Sequence, residues 1–174
     1  LRTHNSATVI RLLWSEKEGA SRSEIARETG LSKATVSAIV AELMTSGLVT
    51  ESHQRASRGG RPGTVLQFQY DRYAIIGVEM GASHVTVVRT DLAGVIQASE
   101  SAVHDLRRDP SGGLERTHQL VESLVKSASQ TVIGLGVGVP TPLHSETPGR
   151  LSARVLPGWK DIDLRAALES RHGL

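Results

Sequence analysis

The chain has no cysteine, and among its 174 residues it has one phenylalanine, two tyrosines and two tryptophans. The absence of thiols excludes disulfides, thiol catalysis and cysteine-ligated zinc within it, and it suits a reducing compartment. With aromatics at 3%, the core must be built from Val, Leu, Ile and Ala. Long hydrophobic runs are absent too. The longest apolar stretches, such as residues 132–140, fall far short of the roughly 20 residues of a spanning helix. No basic start followed by an apolar stretch suggests a secretory leader. The expectation is a cytoplasmic protein with no membrane partner. Neither charge sign dominates, the net charge being +2. Residues 1–70 nevertheless hold nine Lys/Arg against six Asp/Glu, while residues 71–174 hold eleven against twelve. A mildly basic front suits a polyanionic partner. The length admits one large or two small domains. The chain starts at Leu1 rather than Met and stops at His172-Gly173-Leu174, so it reads as a fragment.

What is present begins with helical periodicity. Ala7, Ile10, Leu13 and Trp14 share one face, predicting a helix over 6–18. A second helix is predicted over 22–29, because Ser21 with Glu24 three residues on is a capping-box pattern and Gly30 suits its C-terminal cap. A third is predicted over 33–46, with Ser32 as N-cap and Val36, Ile39, Val40 and Leu43 as its buried stripe. The period then changes. Residues 48–50 read as a short strand. The polar stretch 54–63, rich in Gly, Ser and Arg, reads as a loop. In 64–70, Leu66, Phe68 and Tyr70 alternate with Gln67 and Gln69, which predicts a strand with one buried face. Beyond Asp71 come apolar strands at 74–78, 84–89 and 95–103, a helix over 111–129, a continuous apolar strand over 132–139 of the kind buried on both faces, and a helix over 163–171. That order describes an α/β layer.

The segment from Ser23 to Val49 has helix-turn-helix spacing. Its third helix must turn its apolar stripe inward, leaving Lys33, Thr35 and Ser37 free at the N-terminal end, where short polar side chains can enter a major groove. The helix start at Ser32 also favours a phosphate, and Arg22 with Ser23 can reach one. The loop holds Arg58 and Arg61 between glycines and Pro62. Arginine in such a setting can lie in a narrow minor groove. The same loop reads equally as a linker, and both can hold together. Glu115 and His118 stand one helical turn apart, a metal-like spacing that more often marks a solvated face.

These segments together resemble the ROK family of repressors, open reading frames and kinases. The resemblance covers nearly the whole chain. It rests on Gly30-Leu31-Ser32-Lys33-Ala34-Thr35-Val36-Ser37 and Gly59-Gly60-Arg61-Pro62 in the first part. In the second part it rests on Ile76-Gly77-Val78-Glu79-Met80-Gly81-Ala82-Ser83, on Gly134-Leu135-Gly136-Val137-Gly138-Val139-Pro140 and on Leu156-Pro157-Gly158-Trp159. It implies an α+β chain, with a winged helix-turn-helix at 1–70 and, at 71–174, the first lobe of an actin-like, ribonuclease-H-like ATPase fold, cut short. It implies a regulator of sugar genes, acting as a homodimer on a double-stranded DNA operator and answering to a sugar or sugar phosphate.

The resemblance also supplies a contrast. The family's kinases carry Asp and two glycines followed by Thr in their first phosphate loop, to organise Mg²⁺ and phosphate. Here Glu79 stands for that Asp, Ala82 for the second Gly, Ser83 for Thr and His84 in the basic position. A longer carboxylate and an added Cβ predict a loop that does not use ATP. The resemblance implies a sugar cleft bordered by Gly81, Pro140, Thr141 and Gly158. Thr141 replaces a glycine usual in relatives, and Arg154 and Val155 stand where relatives often carry Asn. No catalytic residue, cofactor or metal ligand is assigned. The alternative is a sugar kinase carrying a DNA-binding module.

Overall fold

The first helices owe their starts to side-chain caps. In the computed structural model, which describes residues 2–52, 64–140 and 157–174, Ser21 caps α2 (Arg22–Thr29) in a complete capping box. Its hydroxyl accepts from the Glu24 amide, and its own amide donates to Glu24 Oε2 at 2.7 Å. Two orphan donors are satisfied at once. Gly30 ends the helix with φ of 69°, a left-handed conformation that glycine adopts without strain. Ser32 caps α3 (Lys33–Thr45), accepting from the Thr35 amide at 3.1 Å. α1 (Arg2–Ser15) starts earlier than the sequence predicts. The expected stripe Val36, Ile39, Val40 and Leu43 is buried, together with Val9, Leu13 and Ile25.

The chain divides into two compact units, Leu1–Tyr70 and Asp71–Leu174. In the first, the three helices share a core with a three-stranded antiparallel sheet of β1 (Ala20–Ser21), β2 (Val49–Ser52) and β3 (Val65–Phe68), in the order β1-β3-β2. Two residues are too few for periodicity to announce β1. It matters because Ser21 pairs with Val65, which fixes the base of the wing beside the first turn of α2. Gly19 makes the entry possible. Its φ is +75°, and a Cβ there would collide with the Leu66 carbonyl and sit 2.7 Å from Val65 Cγ1. Burial in β3 departs from strict alternation, since Val65 is buried as well as Leu66 and Phe68.

The second unit is a four-stranded sheet in the order β6-β5-β4-β7. β4 (Tyr73–Met80), β5 (His84–Asp91) and β6 (Ile96–Val103) form an antiparallel meander, and β7 (Thr131–Gly138) returns parallel to β4. The crossover is α4 (Pro110–Lys126), with Asp109 as cap accepting from the Gly112 amide at 2.9 Å and proline in its first turn. Proline fits there because that N–H has no intrahelical partner anyway. α5 (Leu164–His172) follows a 3₁₀ turn at Pro157–Trp159. Ile76, Val78, Met80, Val85 and Val87 of the sheet pack with Leu120, Val121 and Leu124 of α4, Leu164 and Leu168 of α5, and Trp159.

The continuous apolar run of β7 predicts burial on both faces, yet Ile133 is 52% exposed and Gly136 is exposed as well. The helices gather on the face carrying Val132, Leu135 and Val137. Among the described residues, β7 is also an edge strand. A run of apolar residues therefore does not by itself tell a strand buried on one face from one buried on both.

Candidate nucleic-acid interface

The starts of α2 and α3 and the base of the wing converge on one cleft. It has a volume of about 380 Å³ and is lined by Ser21, Arg22, Ser23, Lys33, Ser37 and Thr64. The lining is two cations and four hydroxyls. No carboxylate is among these residues, so the cleft is suited to an anion, which charge-assisted donors and hydroxyls can hold.

Four of the residues singled out from the sequence, Arg22, Ser23, Lys33 and Ser37, meet in this cleft. Lys33, Ser37 and Ser23 are exposed. Arg22 is partly covered. Its Nη2 donates to Glu51 Oε1 on β2 at 2.9 Å and approaches Met44 Sδ at 3.8 Å. Ser32 and Thr35 are engaged with each other. Beyond the cap, their hydroxyls lie 2.9 Å apart, so Ser32 serves first to start the helix. Arg58 and Arg61 lie outside the described residues. Sequence reading missed two residues of the cleft. Ser21 was visible only as a cap, and Thr64 only as the first residue of a strand. Their convergence depends on the two-residue β1.

The lobe presents a second, smaller cleft of about 250 Å³ at the carboxyl ends of the parallel strands β4 and β7, lined by Glu79, Met80, Gly81, Gly138, Val139 and Pro140. Ligands of α/β sheets gather at such ends. Of the sugar-cleft residues expected from the sequence, Gly81 and Pro140 meet there, whereas Thr141, with Arg154 and Val155, lies outside the described residues. Gly158 is elsewhere: a Cβ on it would sit 2.7 Å from Pro110 Cγ, so it packs against the first turn of α4. Its neighbour Trp159 is fully buried and donates from Nε1 to the Leu106 carbonyl at 2.7 Å. The Leu-Pro-Gly-Trp segment thus ends in the core. At Gly81, a Cβ would come 2.5 Å from the His84 ring. His84, expected in the basic position of the loop, folds back over that glycine.

Glu115 and His118 take different partners. Glu115 accepts from Arg171 Nη1 at 2.7 Å, and Arg171 Nε donates to Glu122 at 2.9 Å. The Arg171 hydrogen bond holds the Glu115 carboxyl below its usual range. His118 Nδ1 lies 2.9 Å from His172 Nε2, and burial lowers the pKa of both imidazoles. This group clamps α5 to α4. Among the described residues, no group of three or more His, Cys, Asp or Glu could hold a metal ion, and no helix is long and apolar enough to cross a membrane.

A winged helix-turn-helix module followed by an α/β lobe is the class of protein that this fold and cleft define. The MarR family model matches residues 5–61. The xylose repressor of Caldicellulosiruptor bescii is 32% identical over 157 residues, spanning 88% of this chain and 39% of that protein. The DNA-binding transcriptional dual regulator NagC of Escherichia coli is 34% identical over 96 residues, 55% of this chain and 23% of that one. In fold, the chain matches a ROK family transcriptional regulator, a homolog of the E. coli MLC protein, with a TM-score of 0.78 at 21% identity, over 99% of this chain and 44% of that structure. The resemblance to ROK-family transcriptional regulators carried by the motifs is borne out, because the xylose-repressor match and the ROK-regulator fold match each cover most of this chain. The chain spans about two fifths of the length of the xylose repressor it matches.

Proposed function

We propose that the chain is the DNA-binding part and first sensor lobe of a sugar-responsive transcriptional repressor, acting as a homodimer on an operator in the cytoplasm and not as an enzyme. The observation that carries the reading is the cleft in which Arg22, Lys33 and four hydroxyls converge without a carboxylate. A backbone phosphate seated there fixes the register of α3, and α3 then presents Ser37 and Thr35 to base edges. Arg58 and Arg61 add contacts to the minor groove. Relatives named as xylose and N-acetylglucosamine repressors support a sugar as effector, received at the carboxyl ends of β4 and β7. The altered loop at Glu79, Ala82, Ser83 and His84 supports a regulator over a kinase, since a kinase needs that loop for phosphate.

The test is a pair of variants in fluorescence-anisotropy titrations. Lys33→Ala weakens binding to all duplexes alike and flattens the salt slope by about one, the loss of one phosphate contact. Thr35→Ala changes which bases are preferred. Equal, sequence-independent losses in both variants sink the assignment of α3 as the reading helix.

A further inference from the structure

The cleft that receives phosphate is lined by no carboxylate, yet a carboxylate already holds one of its two cations. Arg22 stands at the first position of α2, and its Nη2 donates to Glu51 Oε1 at 2.9 Å. Glu51 projects from β2, opposite Leu66 in the register of the wing. The pair is half in water, with the two side chains 36% and 44% exposed. Met44 Sδ on α3 lies 3.8 Å from the same nitrogen. Glu24, the nearest acidic residue along the chain, has its carboxylate drawn to the Ser21 amide in the capping box.

We propose that Glu51 is an affinity-setting residue: it competes with DNA phosphate for the Arg22 guanidinium and so weakens the grip of the winged helix on DNA of any sequence. The inference rests on the reading of the cleft as a phosphate site. Its logic is electrostatic. An arginine neutralised by a neighbouring carboxylate offers a phosphate almost no net charge, so docking there displaces fewer counterions from the DNA. Half-exposed ion pairs are weakly held, so a phosphate can take the guanidinium, but only against the competing carboxylate. Contacts of α3 with base edges do not involve this pair. Glu51 therefore acts on the sequence-independent part of binding, the part that governs how long a regulator lingers away from its operator.

The experiment titrates the full chain against a fluorescein-labelled duplex of arbitrary sequence at about 50 and 200 mM salt, the range over which phosphate contacts are read. Glu51→Gln keeps the size of the side chain and an oxygen that accepts from Arg22, but loses the charge. It tightens binding at low salt by about two- to fivefold, the strength of an exposed ion pair, and steepens the salt slope by up to about 0.9. Arg22→Ala weakens binding. In the Arg22→Ala background, Glu51→Gln changes nothing, because it acts through that guanidinium. Three results overturn the proposal. Weaker binding by Glu51→Gln means that the carboxylate positions Arg22 for phosphate. Unchanged affinity and slope mean that the pair is a surface contact without effect on DNA. Equal tightening with and without Arg22 means general charge repulsion. A parent chain that binds no duplex at all fails differently, and overturns the phosphate cleft together with the proposal. Matching far-ultraviolet circular dichroism of the variants keeps misfolding out of the comparison.

Discussion

Trp159→Phe should cost the lobe far more than a change on a ligand-facing surface would. Trp159 is fully buried in the cluster that joins the sheet to α4 and α5. Its indole N–H donates to the Leu106 carbonyl at 2.7 Å. Phenylalanine keeps most of the apolar packing but leaves that carbonyl buried without its donor, at a cost of about 1–3 kcal/mol. The smaller ring leaves a void worth about 1 kcal/mol more, at roughly 24 cal/mol per Å³. The expected loss is therefore about 2–4 kcal/mol, which for a unit of this size lowers the midpoint by roughly 10–25 °C. Circular dichroism follows the melting of both units. The chain has only two tryptophans, and the other, Trp14, lies in the first unit. In the variant, fluorescence thus reports the winged helix alone, whose transition should stay in place. A lobe midpoint within a few degrees of the parent's would refute the placement of Trp159 in the core.

Gly19→Ala should unfold the winged helix at lower temperature, because the left-handed φ costs about 1–2 kcal/mol and the crowding against β3 costs about 1–3 more. A first-unit transition unmoved in a thermal melt would contradict that geometry. The lobe should also lose stability in acid. His118 and His172 face each other, with Arg171 from α5 and Glu115 and Glu122 from α4 around them. Burial holds both imidazoles below their ordinary value, so the unfolded chain binds more protons once the pH falls below about 6.5. Their contribution is complete above that pH and shrinks as the pH falls through their lowered values in the folded state. The lobe midpoint should therefore fall as the pH drops below about 6.5, and His172→Ala should flatten that fall. A midpoint indifferent to pH in this window would contradict the clamp.

How much of this was legible in the sequence depends on the reach of the signals. The caps at Ser21, Ser32 and Gly30 are local chemistry, decided within three residues, and they stand where the pattern put them. The buried stripe of α3 follows from a 3.6-residue period and is equally direct. Other features were not legible, because they are set by distant partners. β1 is two residues long and exists only because β3 runs beside it. Thr64 reaches the cleft, and Glu51 reaches Arg22, only through the register of that sheet. Ile133 lies in an apolar run, and nothing in the run tells which of its faces the helices cover. Trp159 reads as part of a motif bordering a ligand, yet the 3₁₀ turn at Pro157–Trp159 puts the indole on the Leu106 carbonyl. In the lobe cleft, Gly81 and Pro140 come together because β4 and β7 are parallel neighbours, a pairing that the intervening helix announces in kind but not in register.

The most direct test of the central claim is a selection of bound duplexes from a random pool by this chain, followed by anisotropy titration of the recovered sequence with the parent chain and with Lys33→Ala. The account predicts an enriched motif repeated in inverted orientation, as a symmetric dimer requires, with a steep salt dependence that flattens by about one when Lys33 is removed. A pool that emerges unenriched, or a recovered motif to which parent and Lys33→Ala bind with the same affinity and slope, would contradict it.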